Sequence, residues 1–145
     1  MTLILTIIGS VCVTMISSVT IGVPKHLVTK VGLIGFISYS VYILLAMKIS
    51  PIIATFIACM VVSLIGQLFA RRYKAPVTIF YIPSFFPFAP GSLIYKGSLA
   101  LINGEGGSLE YFTQALLTAG AIALGVFIID SCFDMYHYKQ NSKNS

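Results

Sequence analysis

The sequence predicts an all-α integral membrane protein with about five transmembrane helices. Of its 145 residues, 57% are hydrophobic and only 9% are charged, and the mean hydropathy is +0.95. A soluble domain carries about 25% charged residues, so this chain has too few charges to cover a water-facing surface. The composition excludes a soluble enzyme, a nucleic-acid-binding protein and a disulfide-stapled secreted fold. The three cysteines lie alone in apolar stretches, at Cys12, Cys59 and Cys132.

Five stretches without charged residues underlie the predicted spans, because a helix needs about 20 apolar residues to cross roughly 30 Å of hydrocarbon. The predicted helices cover residues 2–22, 31–48, 51–70, 76–103 and 111–134, and a cytoplasmic tail follows at 135–145. Since 145 residues make one ordinary domain, we expect a single membrane domain over residues 1–145.

Small and hydroxyl side chains recur every fourth residue along the first helix, at Thr2, Thr6, Ser10, Thr14, Ser18 and Gly22. Small residues at this spacing let helix backbones approach closely, so the pattern predicts a helix contact in preference to a polar path for substrate. The fifth helix has a shorter series of the same kind, at Ala115, Ala119 and Ala123. The second helix is unusually polar at its centre, which fits either a cavity or a neighbouring helix. Its polar residues are Ser38, Tyr39, Ser40 and Tyr42.

The basic residues predict the orientation, because loops rich in Lys and Arg are held on the cytoplasmic side. With the N-terminus outside and the C-terminus inside, seven basic residues fall on the cytoplasmic side: Lys25, Lys30, Arg71, Arg72, Lys74, Lys139 and Lys143. The other side receives Lys48 and the acidic loop with Glu105 and Glu110. A fourth segment that dipped in and returned would place the acidic loop inside. The charges therefore favour a full crossing over a re-entrant loop.

The fourth segment is predicted to break near its middle. It contains four prolines, Pro76, Pro83, Pro87 and Pro90. Each interior proline removes a helical N–H and clashes with the carbonyl four residues back. The dipeptide Pro90-Gly91 favours a turn, and Ser92 is placed to cap a new helix. The break is expected near the bilayer midplane, where irregular backbone is tolerated only if it is packed in protein or lines a wet cavity.

A broken helix of this kind forms the substrate site of many secondary transporters. The new helix would direct unpaired N–H groups and the positive end of its dipole at an anion such as a carboxylate. We therefore predict substrate binding at Pro90, Gly91 and Ser92, with the break prepared by Pro83 and Pro87. The alternative is a proline-kinked helix that only shapes packing, and the density of prolines argues against it.

Two charged positions near or within the spans are candidates for function. Lys96 lies five residues past Gly91, where binding of a substrate carboxylate and extension of the side chain to the interface are equally favoured. Asp130 follows 19 uncharged residues and is a candidate proton or cation relay, with an interfacial polar position as the alternative. Asp134 and His137 continue its face at helical spacing, and we interpret them as the polar end of that helix.

No catalytic constellation is evident. The two histidines, His26 and His137, are predicted in a cytoplasmic loop and the tail, so neither lies beside a buried nucleophile. The acids are too few to hold magnesium for phosphoryl chemistry. We therefore expect no enzyme activity, no cofactor and no metal.

The proline-rich stretch resembles the threonine/serine exporter family. In that family Ile-Pro is followed within a few residues by Pro-Gly-x-x-x-Tyr, and here the pattern reads Ile82-Pro83, Phe86-Pro87, Pro90-Gly91-Ser92 and then Tyr95. Weaker similarity covers most of the chain, including Val23-Pro24, the glycines at 32, 35 and 66, and the alanine-rich last helix. Lys96 is not part of the family pattern.

The length and span count resemble the small, split form of that family, which corresponds to the C-terminal membrane half of the fused exporters. The resemblance implies a larger membrane subunit as partner, export of threonine and serine driven by the proton gradient, and a substrate role for Tyr95. Some split pairs are associated with succinate, so a dicarboxylate exporter subunit is an alternative.

An odd number of spans lets two related halves insert in opposite orientations, as inverted-repeat transporters require. We therefore expect this chain to be one half of a carrier in the cell membrane and to transport little alone. The competing hypothesis is a membrane scaffold or assembly subunit with no substrate site.

Overall fold

The computed structural model describes residues 2–104 and 106–141, with side chains described at 3–104 and 106–136. Regular structure in this part of the chain is entirely helical, which confirms the predicted all-α class. The elements are α1 (Thr2–Thr20), α2 (Lys25–Ala46), α3 (Pro51–Tyr73), α4 (Thr78–Phe85), a 3₁₀ turn (Phe86–Phe88), α5 (Gly91–Ile102) and α6 (Ser108–Asn141). Among the described residues, α1, α2, α3 and α6 are each long and apolar enough to cross a membrane, and α4 with α5 forms a fifth candidate span bent by 44°.

Three helices extend beyond their predicted ends, and α3 does so by three residues, to Tyr73. Helix α2 begins at Lys25, six residues before the predicted start, and α6 begins at Ser108 and continues to Asn141 through residues assigned to the tail. Charges do not end a helix, because Lys side chains at a membrane interface extend into water while the backbone stays helical. The chain does turn at Gly22, whose φ of +81° is the left-handed backbone that glycine adopts without strain. The side chain of His137 and the whole of Glu105 and Lys143 lie outside the described residues.

Helices α3 and α6 run parallel to each other. Three contacts pair them in the same chain direction, Phe56 with Gly125, Gln67 with Asp130, and Arg71 with Phe133. The end of α3 and the start of α6 therefore lie at opposite ends of this pair, so the segment between them has to traverse its length. The 25 residues from Thr78 to Ile102 rise about 37 Å at about 1.5 Å per residue, which suffices for this crossing. The structure therefore has a bent crossing in place of a re-entrant hairpin.

The two halves of the bent crossing pack against different helices. Helix α4 contacts α1, α2 and α3, whereas α5 packs on α6. At the centre of the α4 contact, Phe80 is fully buried together with Leu27, Ile34 and Val62. The core of the molecule thus surrounds α4, and the backbone breaks where the chain leaves that core for α6.

The predicted small-residue seam of α1 is a helix contact in its middle part, whereas Thr6 and Gly22 of the same series are exposed. Ser10, Thr14 and Ser18 are buried, and Gly35 of α2 lies so close to Thr14 that an added Cβ would be 2.5 Å from the Thr14 Oγ1. These hydroxyls donate to carbonyls of their own helix, which satisfies them without a partner across the seam.

The corresponding prediction for α6 is wrong in part. Ala115 is buried, but Ala119 and Ala123 are exposed. The buried positions further along α6 are Ala121 and Gly125, because the contact of Gly125 with the Phe56 backbone determines which face of α6 meets α3. An alanine series alone carries no information about that rotation.

Candidate functional site: a cavity at the helix break

The break in the fourth span occurs after Pro83. Helix α4 continues through Pro83 to Phe85, and the 3₁₀ turn follows. Ala89 then has φ −58° and ψ 131°, which is extended backbone of the kind that a following proline imposes. Pro90 is therefore the proline that ends the helical path. Pro83 removes a single hydrogen bond within α4 and leaves the helix intact.

Helix α5 begins without the predicted serine cap. Its N-cap residue is Pro90, no side chain caps it, and Ser92 lies inside the first turn. The first helical hydrogen bond runs from the Ile94 N–H to the Pro90 carbonyl oxygen at 3.1 Å. The N–H groups of Gly91, Ser92 and Leu93 therefore precede the helical ladder and point along the positive end of the helix dipole.

The break lies beside α2 at a level between the middle and the end of that helix. The Phe88 ring contacts the rings of Tyr39 and Tyr42, with 5.8 Å between ring centroids in both pairs. Tyr42 and Tyr39 precede Ala46, the last residue of α2, by four and seven residues, or about 6 and 10 Å. The position of the break relative to the bilayer midplane stays a prediction, because it rests on proline spacing alone.

A cavity of about 180 Å³ opens at this break. This is the volume of roughly six water molecules at about 30 Å³ each, which accommodates a small metabolite. Its lining combines the broken segment with the ends of three helices: Tyr39, Tyr42, Pro51, Thr55, Pro87, Phe88, Ala89, Pro90, Ser92, Leu93 and Thr118. None of these side chains is charged, and five of them carry a hydroxyl group. The polar centre of α2, which the sequence left open, therefore faces a cavity at Tyr39 and Tyr42.

The hydroxyls of the lining can bind a polar molecule. Thr55 and Thr118 donate to carbonyls of their own helices at 2.9 and 2.8 Å, which leaves their oxygen lone pairs to accept. In the described part of the chain, the hydroxyls of Tyr39, Tyr42 and Ser92 make no hydrogen bond. The cavity thus offers both donors and acceptors, beside the N–H groups at the start of α5.

The predicted site residues separate into two groups. Pro87, Pro90 and Ser92 line the cavity. Gly91 adjoins it and is exposed, and an added Cβ there would meet nothing within 4 Å. Tyr95 and Lys96 lie on an exposed face of α5 and are not among the lining residues. The structure therefore brings the Pro-Gly turn to the cavity without the two residues that follow it.

A second polar site surrounds Asp130. Its Oδ1 accepts a hydrogen bond from the Gln67 amide at 2.8 Å and another from the Tyr81 hydroxyl at 2.6 Å. The Tyr81 hydroxyl also lies 3.1 Å from the Ser63 carbonyl oxygen. This cluster of Asp130, Tyr81 and Gln67 joins α6, α4 and α3. Asp134, one turn further along α6, is exposed.

Sequence reasoning identified Asp130 but missed both of its partners. Gln67 was recognisable in principle as the only amide side chain in the uncharged run from 49 to 70, since an amide in hydrocarbon needs a partner. Tyr81 carried no such signal among the aromatic residues of the fourth segment. Among the described residues, no three His, Cys, Asp or Glu side chains group together as metal ligands would.

Comparison with known proteins assigns the family. The sequence model described as "Threonine/Serine exporter, ThrE" matches residues 3–132, which is most of the chain. The chain belongs to the threonine/serine exporter family. One curated relative, a threonine/serine exporter of Corynebacterium glutamicum, is 35% identical over 100 residues, covering 67% of this chain and 20% of the relative. The chain thus spans about a fifth of the length of the exporter it matches. No solved structure matches it significantly.

Membership in this exporter family supports a multi-pass membrane protein that takes part in transport. The family match includes the proline-rich segment, the cavity lining and Asp130. Both polar sites described above therefore lie within the part of the chain that matches the family.

Proposed function

We propose that this chain is the membrane subunit of a two-component exporter that moves threonine and serine out of the cell and is driven by the proton gradient. The observation that carries the proposal is the hydroxyl-lined cavity at the helix break, in a chain of the threonine/serine exporter family. Transport, and not catalysis, is the function of such a site.

The chemistry of the cavity favours a small hydroxy amino acid. A substrate carboxylate would accept hydrogen bonds from the N–H groups at the start of α5, aided by the helix dipole. A substrate hydroxyl would pair with the hydroxyls of Tyr42, Thr55 or Thr118. A dicarboxylate such as succinate carries a second negative charge, and the lining has no Lys or Arg to neutralise it. Threonine and serine are therefore favoured over succinate.

The partner we propose is a larger membrane subunit of the same family. The matched exporter of Corynebacterium glutamicum contains a large part outside the 100 aligned residues, and we propose that a larger subunit supplies the equivalent of that part. The five candidate spans also permit a related half with the opposite orientation. We place the N-terminus outside and the C-terminus in the cytoplasm of a cell membrane protein. This orientation is supported by the parallel course of α3 and α6, because Arg71 of α3 then lies at the same end of the pair as Phe133 near the end of α6.

Efflux from preloaded cells tests the proposal, with this chain alone, the larger subunit alone, and both together. We expect threonine and serine efflux only with both subunits. Succinate efflux in place of amino-acid efflux would overturn the substrate assignment. Absence of all three effluxes, with insertion verified, would favour the scaffold hypothesis.

A matched pair of variants ties efflux to the cavity. Tyr42→Phe removes one hydroxyl from the lining while keeping the ring that packs on Phe88. Tyr73→Phe removes a hydroxyl at the opposite end of α3, outside the lining. We expect Tyr42→Phe to reduce threonine efflux by about two- to tenfold, which corresponds to the loss of one hydrogen bond of about 0.5–1.5 kcal/mol. Tyr73→Phe should leave threonine efflux unchanged.

A further inference from the structure

We propose that Asp130 is the proton-binding site of this exporter, and that Tyr81 couples its protonation state to the helix break. The inference rests on the proposed function, because it assigns the proton step of that transport cycle to named residues. An ionisable side chain inside a membrane span is costly, and it persists where it binds or moves an ion. Asp130 is half-buried within a candidate span and is held by side chains of two other helices.

The cluster of Asp130, Tyr81 and Gln67 can hold Asp130 in either protonation state. The Tyr81 hydroxyl has one proton and two acceptors within reach, the Asp130 carboxylate at 2.6 Å and the Ser63 carbonyl at 3.1 Å. When Asp130 is ionised, Tyr81 donates to it. When Asp130 binds a proton, that proton is donated to the Tyr81 oxygen, and the Tyr81 proton turns to the Ser63 carbonyl. The Tyr81 hydroxyl therefore keeps a hydrogen-bond acceptor in either state, so protonation of Asp130 does not leave its proton unpaired.

Among the residues that the structure describes, no other charged group contacts the cluster and could replace Asp130 in this role. On α3, Gln67 is neutral and Arg71 lies one turn further on, stacked over the Phe133 ring at 4.6 Å. On α4, the titratable group facing Asp130 is Tyr81 itself. On α6, Asp134 is one turn away and exposed.

More distant titratable groups lie well away from the cluster. Cys59 of α3 packs near Gly125, about two turns before Gln67. Lys96 is next to Gly97, and Gly97 packs against Phe112 of α6. Phe112 is about 27 Å from Asp130 along α6. Asp130 therefore binds its proton without a buried counter-ion.

Helix α4 connects this proton site to the cavity. Tyr81 lies near its middle, and Pro87 and Pro90 at the cavity follow on the same segment, six and nine residues later. Hydrogen bonds to an ionised group are about twice as strong as neutral ones. Protonation of Asp130 therefore weakens its hydrogen bond with Tyr81, which joins α6 to α4. Helix α4 leads directly into the segment that lines the cavity. Both sites thus lie on one continuous segment, and a shift of that segment is the route by which we expect protonation and substrate binding to be coupled.

The first test observes the proton directly and needs no transport. Infrared difference spectroscopy of the purified chain in lipid bilayers, during a pH titration, is expected to show a protonated-carboxyl band for half-buried Asp130 that is distinct from the band of the exposed carboxyl groups. The band should be lost in Asp130→Asn and retained in the matched control Asp134→Asn, which changes an exposed carboxylate one turn away. Tyr81→Phe should move the band to higher frequency, because the protonated carboxyl loses its hydrogen-bond acceptor. A titrating band that persists in Asp130→Asn, or that is lost in Asp134→Asn, overturns the proposal.

The second test measures coupling in cells that contain both subunits. Wild-type and Asp134→Asn efflux should rise several-fold with an imposed proton gradient, whereas Asp130→Asn efflux should not respond. A wild-type response in Asp130→Asn overturns the coupling role. If the wild-type pair exports none of the proposed substrates, the proposed function fails, and the infrared result still decides whether Asp130 binds the proton.

Discussion

The close approach of α3 to α4 at Gly66 makes Gly66→Ala the most informative single substitution in this fold. A Cβ at this position would lie 2.5 Å from Cε1 and 2.7 Å from Cδ1 of the Tyr81 ring. Atoms at these distances overlap, so the ring has to move. Tyr81 is buried and its hydroxyl is bonded to Asp130, so the displacement pulls the hydroxyl away from the carboxylate. The substitution therefore strains the packing and breaks the cluster of Asp130, Tyr81 and Gln67 at once.

The expected loss of stability follows from three terms. Overpacking a close contact costs about 1–3 kcal/mol. Losing a hydrogen bond to a charged group costs about 1.5–3 kcal/mol. Alanine recovers about 1 kcal/mol because its helix propensity exceeds that of glycine. We therefore expect Gly66→Ala to lower the free energy of unfolding by about 1.5–5 kcal/mol.

Unfolding in mixed detergent micelles, followed by circular dichroism, measures this change. The matched control is Gly120→Ala in α6, where an added Cβ meets nothing within 4 Å, so it should be neutral or stabilising by up to about 1 kcal/mol. If the two variants unfold at the same detergent fraction, the tight packing of Tyr81 on α3 is wrong.

Two further substitutions test the break and the buried hydroxyls. Pro90→Ala should let Ala89 return to helical backbone, and we expect it to reduce efflux by about tenfold without loss of insertion. The control Pro24→Ala, at the exposed start of α2, should transport normally. Unchanged efflux in Pro90→Ala would remove the break from the mechanism. Ser84→Ala should leave the free energy of unfolding unchanged or raise it by up to about 1 kcal/mol, because its buried hydroxyl has no hydrogen-bond partner in the described structure. The Ser18 hydroxyl donates to the Met15 carbonyl at 2.7 Å, so Ser18→Ala should lower the free energy of unfolding by about 0.5–1 kcal/mol. Thermal denaturation compares the two variants, and a Ser84→Ala variant less stable than Ser18→Ala would contradict this account.

Features that depend on local chemistry could be predicted from the sequence. The membrane class follows from the scarcity of charge, and the broken fourth span follows from prolines that cannot continue a helix. The ends of α2 and α6 were misplaced because a charged residue marks the membrane interface and not the end of a helix. The contact made by Ser10, Thr14 and Ser18 was recognisable because small residues permit close approach.

Features that depend on how distant helices pack could not be predicted. Gln67 and Tyr81 meet Asp130 across 63 and 49 residues of chain, and no local pattern records that meeting. The position of the break along α2 depends on how far the two segments are shifted relative to each other along the helix axis. Tyr39 and Tyr42 were recognised as unusual, but only the packing of Phe88 between the helices shows that they face a cavity.

The central claim is that the cavity at the helix break holds the exported amino acid, and substrate protection of an introduced thiol tests it most directly. With both subunits in membranes and the exposed Cys12 and Cys132 replaced, Ser92→Cys places a thiol in the lining, and Ser98→Cys places one on the same helix outside it. The account predicts that threonine slows alkylation of Ser92→Cys several-fold and leaves Ser98→Cys unaffected. Equal alkylation of Ser92→Cys with and without threonine would contradict it.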